Sequence, residues 1–481
     1  MNCPKPADWA RVRAEFQRIW GYPDFRSPQG EIIATLLSGR DALIILPTGG
    51  GKSICFQLPA LLQTGLTLVV SPLVALMENQ VQELRAKQLP AALLHSELPS
   101  RQRQQTLRAL ERQQLRLLYL SPETLLSPPV WERLCHPSLK IQGLILDEAH
   151  CLVQWGDSFR PAYYRLGAVR SALLNHKPAG SQIALAAFTA TADPAAQATI
   201  QRVLQLQEPE VFRLNPYRSN LSLRVATVWT PRHRKQKLLG YMQAHRGQTG
   251  LVYVRTRQDS QELSDWLRQQ GWRTAAYHAG LGPEERRTIE QAWLEDDLQF
   301  VVCTCAFGMG INKPSVRWVV HFHSPLLLSE YVQEVGRAGR DGKPARALTL
   351  ISEPTGWLDP ADKQRRQFFT QQAHKQQQMA AALRKKLPIQ GEVATINRQF
   401  PGGAIALALL HRDNQLEWQD PFHYTIRANG AASYPANPQA TRLMIDYLRT
   451  SACRWQFLLR AFGFDQEAVH FRCGHCDNCR P

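Results

Sequence analysis

The chain has 481 residues, enough for about three domains of ordinary size. Its residues are 44% hydrophobic and 20% charged, which is typical of a globular protein and excludes an extensively disordered one. The 57 basic residues exceed the 40 acidic ones, and this net charge of +17 favours a polyanionic partner, with nucleic acid as the first candidate.

Residues 1–20 lack the apolar core of a signal peptide, and no apolar run of the sequence is long enough to cross a bilayer. We therefore expect a cytoplasmic protein with no membrane partner. In that reducing compartment, the ten cysteines are expected to be core residues or metal ligands rather than disulfides.

Short apolar runs rich in β-branched residues alternate with helical patterns. Five such runs lie at 41–47, 67–72, 115–122, 143–150 and 183–192. Five more lie at 250–257, 273–280, 300–308, 316–322 and 346–352. The alternation predicts an α/β protein with two doubly wound parallel-sheet lobes, which meet near the polar segment 215–220.

The segment LPTGGGKS, residues 46–53, follows the first apolar run and precedes a helical pattern. It lacks the leading glycine of the general phosphate-binding loop, because Leu46 stands there. Strand, tight loop and helix start is nevertheless the arrangement in which backbone N–H groups face phosphates. We expect Lys52 to contact the β and γ phosphates and Ser53 to hold Mg²⁺. A structural turn is the alternative.

Asp147 and Glu148, in LILDEAH, stand where a predicted strand leaves the sheet, which is the usual ligand-facing edge. Adjacent carboxylates there suit two tasks. Asp147 can bind Mg²⁺, and Glu148 can activate a water for attack on the γ-phosphate. Two surface acids that cap a helix are the alternative.

A series of ordered motifs resembles that of superfamily 2 helicases: LPTGGGKS (46–53), VVSPLVALMENQ (69–80), YLSPE (119–123), LDEAHC (146–151) and AFTATA (187–192). The longer stretch 147–167, DEAHCLVQWGDSFRPAYYRLG, resembles the RecQ family of ATP-dependent DNA helicases in particular. The resemblance implies two tandem RecA-like lobes that use ATP and Mg²⁺. This superfamily keeps only the compact core of the phosphate loop, so Leu46 is expected to end the strand as a core residue.

The resemblance also implies which residues hold the nucleotide. The segment 20–33, WGYPDFRSPQGEII, resembles the adenine-recognition motif of the family. In it Tyr22 would stack on the base, Arg26 would lie nearby and Gln29 would bond to the adenine edge. The phosphate loop would contribute Thr48, Gly49, Gly50, Gly51, Lys52 and Ser53.

An aromatic-rich loop follows the second catalytic motif, and in the family this loop couples binding of single-stranded DNA to ATP hydrolysis. The matching residues are Trp155, Phe159 and Arg160. Aromatic faces stack on bases without reading their sequence, and arginine pairs with phosphate. A buried aromatic cluster is the alternative. Further strand contacts implied by the resemblance are VRTR (254–257) and HAG (278–280).

The segments 300–322 and 331–342 resemble the late motifs of the same family. Arg337 and Arg340, three residues apart, share one helix face or one end of a turn, and arginine stabilises charge on a transferred phosphoryl group. Gln333 would contact the γ-phosphate or its water. A merely basic turn is the alternative. The implied mechanism binds ATP between the lobes, opens them on hydrolysis and moves a DNA strand stepwise, 3′ to 5′.

The C-terminal stretch CGHCDNC, residues 473–479, contains two successive C-x2-C spacings. Closely spaced thiolates can share one tetrahedral Zn²⁺, and four of them make a structural site. The stretch resembles the zinc-binding module of the RecQ family, and the resemblance gives the ligands Cys453, Cys473, Cys476 and Cys479. His470 or His475 could replace one ligand, and disulfides are the alternative.

Residues 353–437 depart from the common family order, in which the zinc module follows the second lobe directly. Within them, 363–390 carries seven Lys or Arg and no Asp or Glu. The pattern of 393–426 predicts a helix, a break, a second helix and a hairpin, which suits a winged helix. We hypothesise a winged-helix-like insertion in a mainly helical zinc-binding module, with Arg384, Lys385 and Lys386 supporting duplex binding. A helical insertion without a DNA role is the alternative.

The predicted domains are therefore a first lobe at 1–215, a second lobe at 216–352, the insertion at 353–437 and the zinc module at 438–481. The leading interpretation is an ATP-dependent DNA helicase acting on single-stranded and duplex DNA in repair, recombination or replication. Single-strand-binding and repair proteins are candidate partners, and a bacterial chain would associate with the nucleoid. An RNA helicase and a non-catalytic DNA-binding scaffold are the rival interpretations.

Overall fold

The computed structural model describes residues 6–47, 49–154, 160–307, 311, 313–427 and 438–480. Their contacts divide the chain into two compact units. Unit 1 comprises 1–214 and 375–434, and unit 2 comprises 215–374 and 435–481. The finer four-domain division stays a prediction.

The first lobe, in unit 1, is built on a parallel sheet. Its strands are β1 (Ala42–Ile45), β2 (Leu66–Val70), β3 (Ala91–Leu94), β4 (Leu117–Leu120), β5 (Ile141–Leu146), β6 (Ala184–Thr189) and β7 (Glu210–Arg213). They lie in the order β3-β4-β2-β5-β6-β1-β7, and all neighbours are parallel. The five predicted strands are present, and β3 and β7 are additional.

Helices cover both faces of this sheet. They are α1 (Pro6–Trp20), α2 (Gln29–Leu37), α3 (Lys52–Leu62), α4 (Val74–Ala86), α5 (Ser100–Glu111), α6 (Pro122–Leu125), α7 (Pro128–Cys135), α8 (Cys151–Gln154), a 3₁₀ helix (Pro161–Ala168), α9 (Val169–Leu174) and α10 (Pro194–Leu204). Successive residues of β1 enter opposite cores, Leu43 and Ile45 one and Ile44 the other. A strand buried on both faces reads as a continuous apolar run, which is why the sequence predicted it.

The second lobe, in unit 2, repeats the architecture. Its strands are β8 (Leu221–Val228), β9 (Gly250–Tyr253), β10 (Thr274–Tyr277), β11 (Phe300–Cys303), β12 (Trp318–His321) and β13 (Ala345–Ser352). Its helices are α11 (Pro231–Ala244), α12 (Arg257–Gln269), α13 (Pro283–Leu294) and α14 (Leu328–Val335). The parallel strand order is β10-β11-β9-β12-β13-β8, so the two predicted doubly wound lobes are confirmed.

The insertion has the predicted order of elements. After the long helix α15 (Ala361–Arg384) come β14 (Gln390–Glu392), α16 (Val393–Gln399), α17 (Gly403–Arg412), β15 (Leu416–Trp418) and β16 (His423–Ile426). The strands form an antiparallel sheet in the order β14-β16-β15. Two helices followed by a hairpin constitute a winged-helix-like unit.

This winged-helix-like unit packs against the first lobe. The α17 side chains Leu407, Ala408 and Leu409 are buried, and the helix lies against the 3₁₀ helix of that lobe. At the hairpin, Arg165 donates to the Pro421 carbonyl at 3.2 Å. The second helix is the one that a helix-turn-helix protein inserts into the major groove. Here the second helix, α17, is buried in unit 1. Within the described part of the insertion, no exposed recognition helix is therefore available for the hypothesised duplex contact.

The C-terminal segment belongs to unit 2 and contains α18 (Pro438–Arg449), α19 (Arg454–Ala461) and α20 (Asp465–Ala468). It is joined to the second lobe by buried hydrogen bonds. The Trp455 indole N–H donates to the Leu221 carbonyl at 3.0 Å, and the Tyr447 hydroxyl donates to the Tyr331 hydroxyl at 2.8 Å. Among the helices of the described ranges, none is both long and apolar enough to span a membrane.

Asp41 fixes the start of the central strand β1. Its buried carboxylate accepts hydrogen bonds from Arg170 Nη1 at 2.6 and 2.8 Å, from the Leu185 N–H at 2.8 Å and from the Gln207 N–H at 2.7 Å. The Asp41 carbonyl also accepts the Glu210 N–H at 3.0 Å. One side chain thus joins α9, β6 and the segment that leads into β7.

We predict that Asp41→Ala lowers the free energy of unfolding of unit 1 by about 3–5 kcal/mol, because it leaves the Arg170 guanidinium buried without its counter-charge. Urea denaturation followed by circular dichroism measures the change. Glu15→Ala, which removes the partner of the exposed Arg18, is the control and should have little effect. Equal midpoints for the two variants would contradict the role given to Asp41.

Candidate functional site

Three strand ends of the first lobe converge on one edge of the sheet. β1 pairs in parallel with β6, and β6 pairs in parallel with β5. The loop 46–51 follows β1, Asp147 and Glu148 follow β5, and Thr189 ends β6. The carboxyl edge of a parallel sheet is where such folds bind ligands. The two predicted motifs are therefore brought together by strand pairing.

The phosphate-loop backbone has the shape that its glycines allow. Leu46 is fully buried, and its N–H donates to the Thr189 carbonyl at 3.0 Å, so its predicted place in the core is confirmed. Gly49 and Gly51 are left-handed, with φ of +86° and +75°. Helix α3 begins at Lys52 and carries Ser53 in its first turn. Predicted residue Thr48 lies outside the described residues.

Lys52 presents a buried positive charge at this edge. Its Nζ lies 3.6 Å from Glu148 Oε1, and both side chains are mostly buried. Among described residues Nζ has no hydrogen-bond partner. A buried ammonium without hydrogen bonds is costly, so the group fits an anionic ligand such as a phosphate.

Asp147 is held beside Lys52 and Glu148. Its Oδ1 accepts the Glu148 N–H at 3.0 Å, and its Oδ2 accepts the Gln80 amide at 3.3 Å. Burial raises the pKa of Asp147 to about 6, assisted by the charge of Glu148 and opposed by Lys52. A carboxylate whose charge is penalised by burial gains from a divalent cation, so the site fits Mg²⁺.

Glu148 is positioned from two directions. Its backbone is left-handed, with φ of +51°, a strained conformation for a residue with a side chain. Its Oε2 lies 3.1 Å from His150 Nδ1, which also lies 3.1 Å from Thr189 Oγ1. Burial opposes the charged form of His150, but Cys151 and Glu148 together raise the pKa of His150 above its ordinary value. His150 therefore links the ends of β5 and β6.

Sequence reasoning missed Gln80, His150 and Thr189 as members of this site. All three lie inside motifs that were recognised as helicase-like, at 69–80, 146–151 and 187–192. Their partners lie on other strands or helices, so their roles depend on strand order.

Gln29 lies at the predicted nucleotide site but bonds to the loop itself. Its amide donates to the Gly50 carbonyl at 3.1 Å and accepts the Arg26 N–H at 3.0 Å. A Cβ on Gly51 would collide with the Gln29 amide. The predicted residues Tyr22 and Arg26 are exposed nearby in sequence. The structure thus connects the segment that is predicted to recognise adenine to the predicted phosphate loop.

In unit 2, Gln333 lies on α14, and Arg337 and Arg340 follow that helix. Arg337 is buried, and Arg340 Nη1 donates to the Ile311 carbonyl at 3.4 Å. The helix is anchored by Glu334. This buried carboxylate accepts two hydrogen bonds from Arg255, at 2.7 and 3.0 Å.

The contacts of Glu334 with Arg255 and His321 stabilise its ionised form. Burial opposes ionisation of Glu334, but Arg255, and with it His321 at 2.9 Å, lowers the pKa of Glu334 to about 2. Arg255 belongs to the segment VRTR, predicted to contact DNA, yet its guanidinium is committed to α14. Arg255 therefore connects a predicted DNA segment with the helix that precedes Arg337.

The predicted DNA contacts of the aromatic-rich loop fall mostly outside the described residues. Trp155 and Phe159 lie there, whereas Arg160 is described and pairs with Glu123 at 3.3 Å. In unit 2, a Cβ on Gly280 would lie 3.0 Å from Arg257 Nη1. The segments 254–257 and 278–280 are thus neighbours, as their shared predicted task requires.

The C-terminal cysteines form one cluster. The Sγ atoms of Cys453, Cys473, Cys476 and Cys479 all lie within 4.8 Å of one another. Tetrahedral Zn²⁺ with bonds of about 2.3 Å places its thiolates about 3.8 Å apart, so the four thiols fit this ion. The nine described cysteines are free, and His475 instead lies 3.4 Å from the Tyr217 hydroxyl. The cluster fits a structural four-thiolate zinc site.

We predict that the purified protein carries about one Zn²⁺ per chain and that Cys476→Ser lowers this content and the thermal stability of unit 2. Elemental analysis and thermal denaturation measure both effects. Cys135→Ser alters a thiol far along the sequence from the cluster and serves as the control. Full zinc content in Cys476→Ser would contradict the assignment.

Three family descriptions match the chain. Residues 26–199 match the DEAD/DEAH box helicase family, 233–342 the helicase conserved C-terminal domain and 424–480 the RecQ zinc-binding family. The S. cerevisiae protein Dbp5 bound to RNA and ADP BeF3 superimposes with a TM-score of 0.58 at 15% identity, covering 73% of this chain and 90% of Dbp5. At that identity the likeness concerns the fold alone.

Two relatives match the chain at higher sequence identity than this solved structure does. It is 55% identical to an ATP-dependent DNA helicase RecQ of Synechocystis sp. over 98% of this chain and 99% of the relative. A protein of the same name from Pasteurella multocida is 40% identical over 71% of this chain and 52% of that relative. Together with the matched zinc-binding segment, these similarities place the chain in the RecQ family of ATP-dependent DNA helicases.

Proposed function

We propose that this protein is an ATP-dependent helicase that binds single-stranded DNA and unwinds duplex DNA. The observation that carries the proposal is the buried Lys52 ammonium, which faces Glu148 and lacks a hydrogen-bond partner among the described residues. It stands at a nucleotide-type loop in a chain of the RecQ family. A scaffold that had lost catalysis would have no reason to keep this arrangement.

Each residue of the first lobe has a distinct proposed task. Lys52 binds the β and γ phosphates, and the N–H groups at the start of α3 assist it. Ser53 and Asp147 hold Mg²⁺, which neutralises phosphate charge when it is bound. Glu148 accepts a proton from the attacking water. His150, which touches Glu148 and Thr189, is a positioning residue that aims this carboxylate.

Arg337 and Arg340 supply the cations that stabilise the transferred phosphoryl group, and Gln333 contacts the γ-phosphate or its water. The Arg255–Glu334 ion pair holds the helix α14 in front of them. Tyr22, Arg26 and Gln29 receive the adenine. These roles follow the family resemblance and fit the local geometry of each unit.

Single-stranded DNA binds through the loop at 155–160 and the segments 254–257 and 278–280, and movement runs 3′ to 5′. The net charge of +17 favours a polyanion over a neutral partner. An RNA substrate is the rival class that the experiment below separates. Duplex binding by the insertion, association with single-strand-binding and repair proteins, and a cytoplasmic, nucleoid-associated location stay predictions.

We predict that ATP turnover rises severalfold on addition of single-stranded DNA and falls about 100-fold or more in Lys52→Ala, because the phosphates lose their buried cation. Glu148→Gln should lower turnover about 10²- to 10⁴-fold while retaining ATP binding. Lys140→Ala, an exposed lysine of the same unit, is the matched control. Steady-state phosphate release measures turnover.

The same assay discriminates the rivals. Stimulation by RNA and not by DNA would indicate an RNA helicase. Absence of turnover in the unmodified protein at saturating ATP and Mg²⁺ would indicate a scaffold. Turnover by Lys52→Ala equal to that of Lys140→Ala would contradict the phosphate-loop assignment.

A further inference from the structure

Two tryptophans project into solvent from one corner of the second lobe. Trp229 directly follows β8, and Trp357 follows β13 by five residues. They are 53% and 86% exposed, although Trp is a residue that folding usually buries. None of the tasks assigned above uses either side chain.

Strand pairing brings these two positions together. Val228 at the end of β8 is opposite Ser352 at the end of β13 in the parallel register. The Glu353 N–H then donates to the Val228 carbonyl at 2.9 Å. Both tryptophans therefore leave the sheet at the same carboxyl edge, the edge that also carries the segments 254–257 and 278–280.

The loop that presents Trp357 is rigidly held by Glu353. This buried carboxylate accepts the N–H groups of Thr355 at 2.6 Å, Trp357 at 2.5 Å and Leu358 at 3.1 Å. An exposed aromatic side chain on a fixed loop loses little conformational entropy when it binds a ligand.

A buried arginine locks the other end of the loop. Arg234 of α11 is 2% exposed and contacts the carboxylates of Asp359 at 2.7 Å and Asp362 at 3.3 Å. Buried ion pairs therefore join the loop, the start of α15 and the start of α11. The acidic residues that this loop and the start of α15 contribute among the described residues, Glu353, Asp359 and Asp362, are buried.

An exposed cation lies near each tryptophan along the chain or beside its loop. Arg232 lies three residues after Trp229 and is exposed. Lys363 is also exposed, and its aliphatic stem passes the residue before Trp357, where a Cβ on Gly356 would lie 3.1 Å from Lys363 Cδ. Exposed aromatic rings interleaved with exposed cations are the chemistry of single-stranded nucleic-acid binding.

We propose that the tryptophan corner, defined as Trp229, Arg232, Trp357 and Lys363, binds single-stranded DNA, with bases stacked on the indoles and phosphates on the cations. The proposal rests on the helicase function proposed above and extends the strand path to the β8 edge of the second-lobe sheet. The positive charge distinguishes this surface from an apolar site for a protein partner.

The test is the affinity of the full chain for a fluorescent oligothymidylate of about 20 nucleotides, measured by anisotropy at fixed salt. Trp229→Ala and Trp357→Ala should each weaken binding about 5- to 100-fold, and Trp357→Phe should restore most of it because a ring remains. Lys363→Ala should weaken binding and flatten its salt dependence. Thermal denaturation verifies that each variant is folded.

Arg246→Ala is the matched charge control, because Arg246 is an exposed cation just past the far end of α11, at the opposite edge of the sheet. Affinity in both Trp→Ala variants equal to that of Arg246→Ala would overturn the proposal and would leave the corner to a protein partner. If the unmodified chain still shows DNA-stimulated ATP turnover, that result leaves the helicase function intact. If DNA does not stimulate ATP turnover by the unmodified chain, that result would instead refute the helicase function itself.

Discussion

The parallel pairing of β5, β6 and β1 is the constraint on which the nucleotide chemistry depends. It places the phosphate loop, the Asp147–Glu148 pair and Thr189 at one edge, although the pair lies about 100 residues after the loop and Thr189 about 40 residues after the pair. The His150 contacts to Glu148 and Thr189 then fix the proposed base. The buried charges of Lys52, Asp147 and Glu148 offset one another, and a bound nucleotide with its cation would complete that balance.

The second lobe has buried ion pairs at the corresponding carboxyl edge of its own sheet. Its buried ion pairs, Arg255 with Glu334 and Arg234 with Asp359 and Asp362, tie loops to helices rather than binding ligands. The first of these pairs connects a proposed DNA segment with the helix before Arg337. The second set of ion pairs, around Arg234, holds the loop that exposes Trp357 to solvent. Rigid ion-pair anchors thus support both surfaces that are proposed to act on ligands.

Much of the candidate site could be predicted from local sequence motifs, whereas contacts between residues on neighbouring strands could not. Lys52, Asp147, Glu148 and three of the cysteines lie in short motifs, whereas the fourth cysteine, Cys453, was implied by the family resemblance. The structure places each group together. The unpredicted strands β3, β7 and β8 all lie at sheet edges. The strands β7 and β8 are half exposed and lack a continuous apolar run, whereas β3 is a buried apolar strand that the prediction missed. The burial of α17 was equally unpredictable, since its apolar pattern does not reveal which surface covers it.

The central claim is that ATP hydrolysis at the Lys52–Glu148 site drives strand separation in DNA. Its most direct test is displacement of a labelled strand from a partial duplex carrying either a 3′ or a 5′ single-stranded tail. The account predicts displacement with the 3′ tail that requires hydrolysable ATP and disappears in Glu148→Gln. Displacement that proceeds without hydrolysis, or none with either tail while ATP is being hydrolysed, would contradict it.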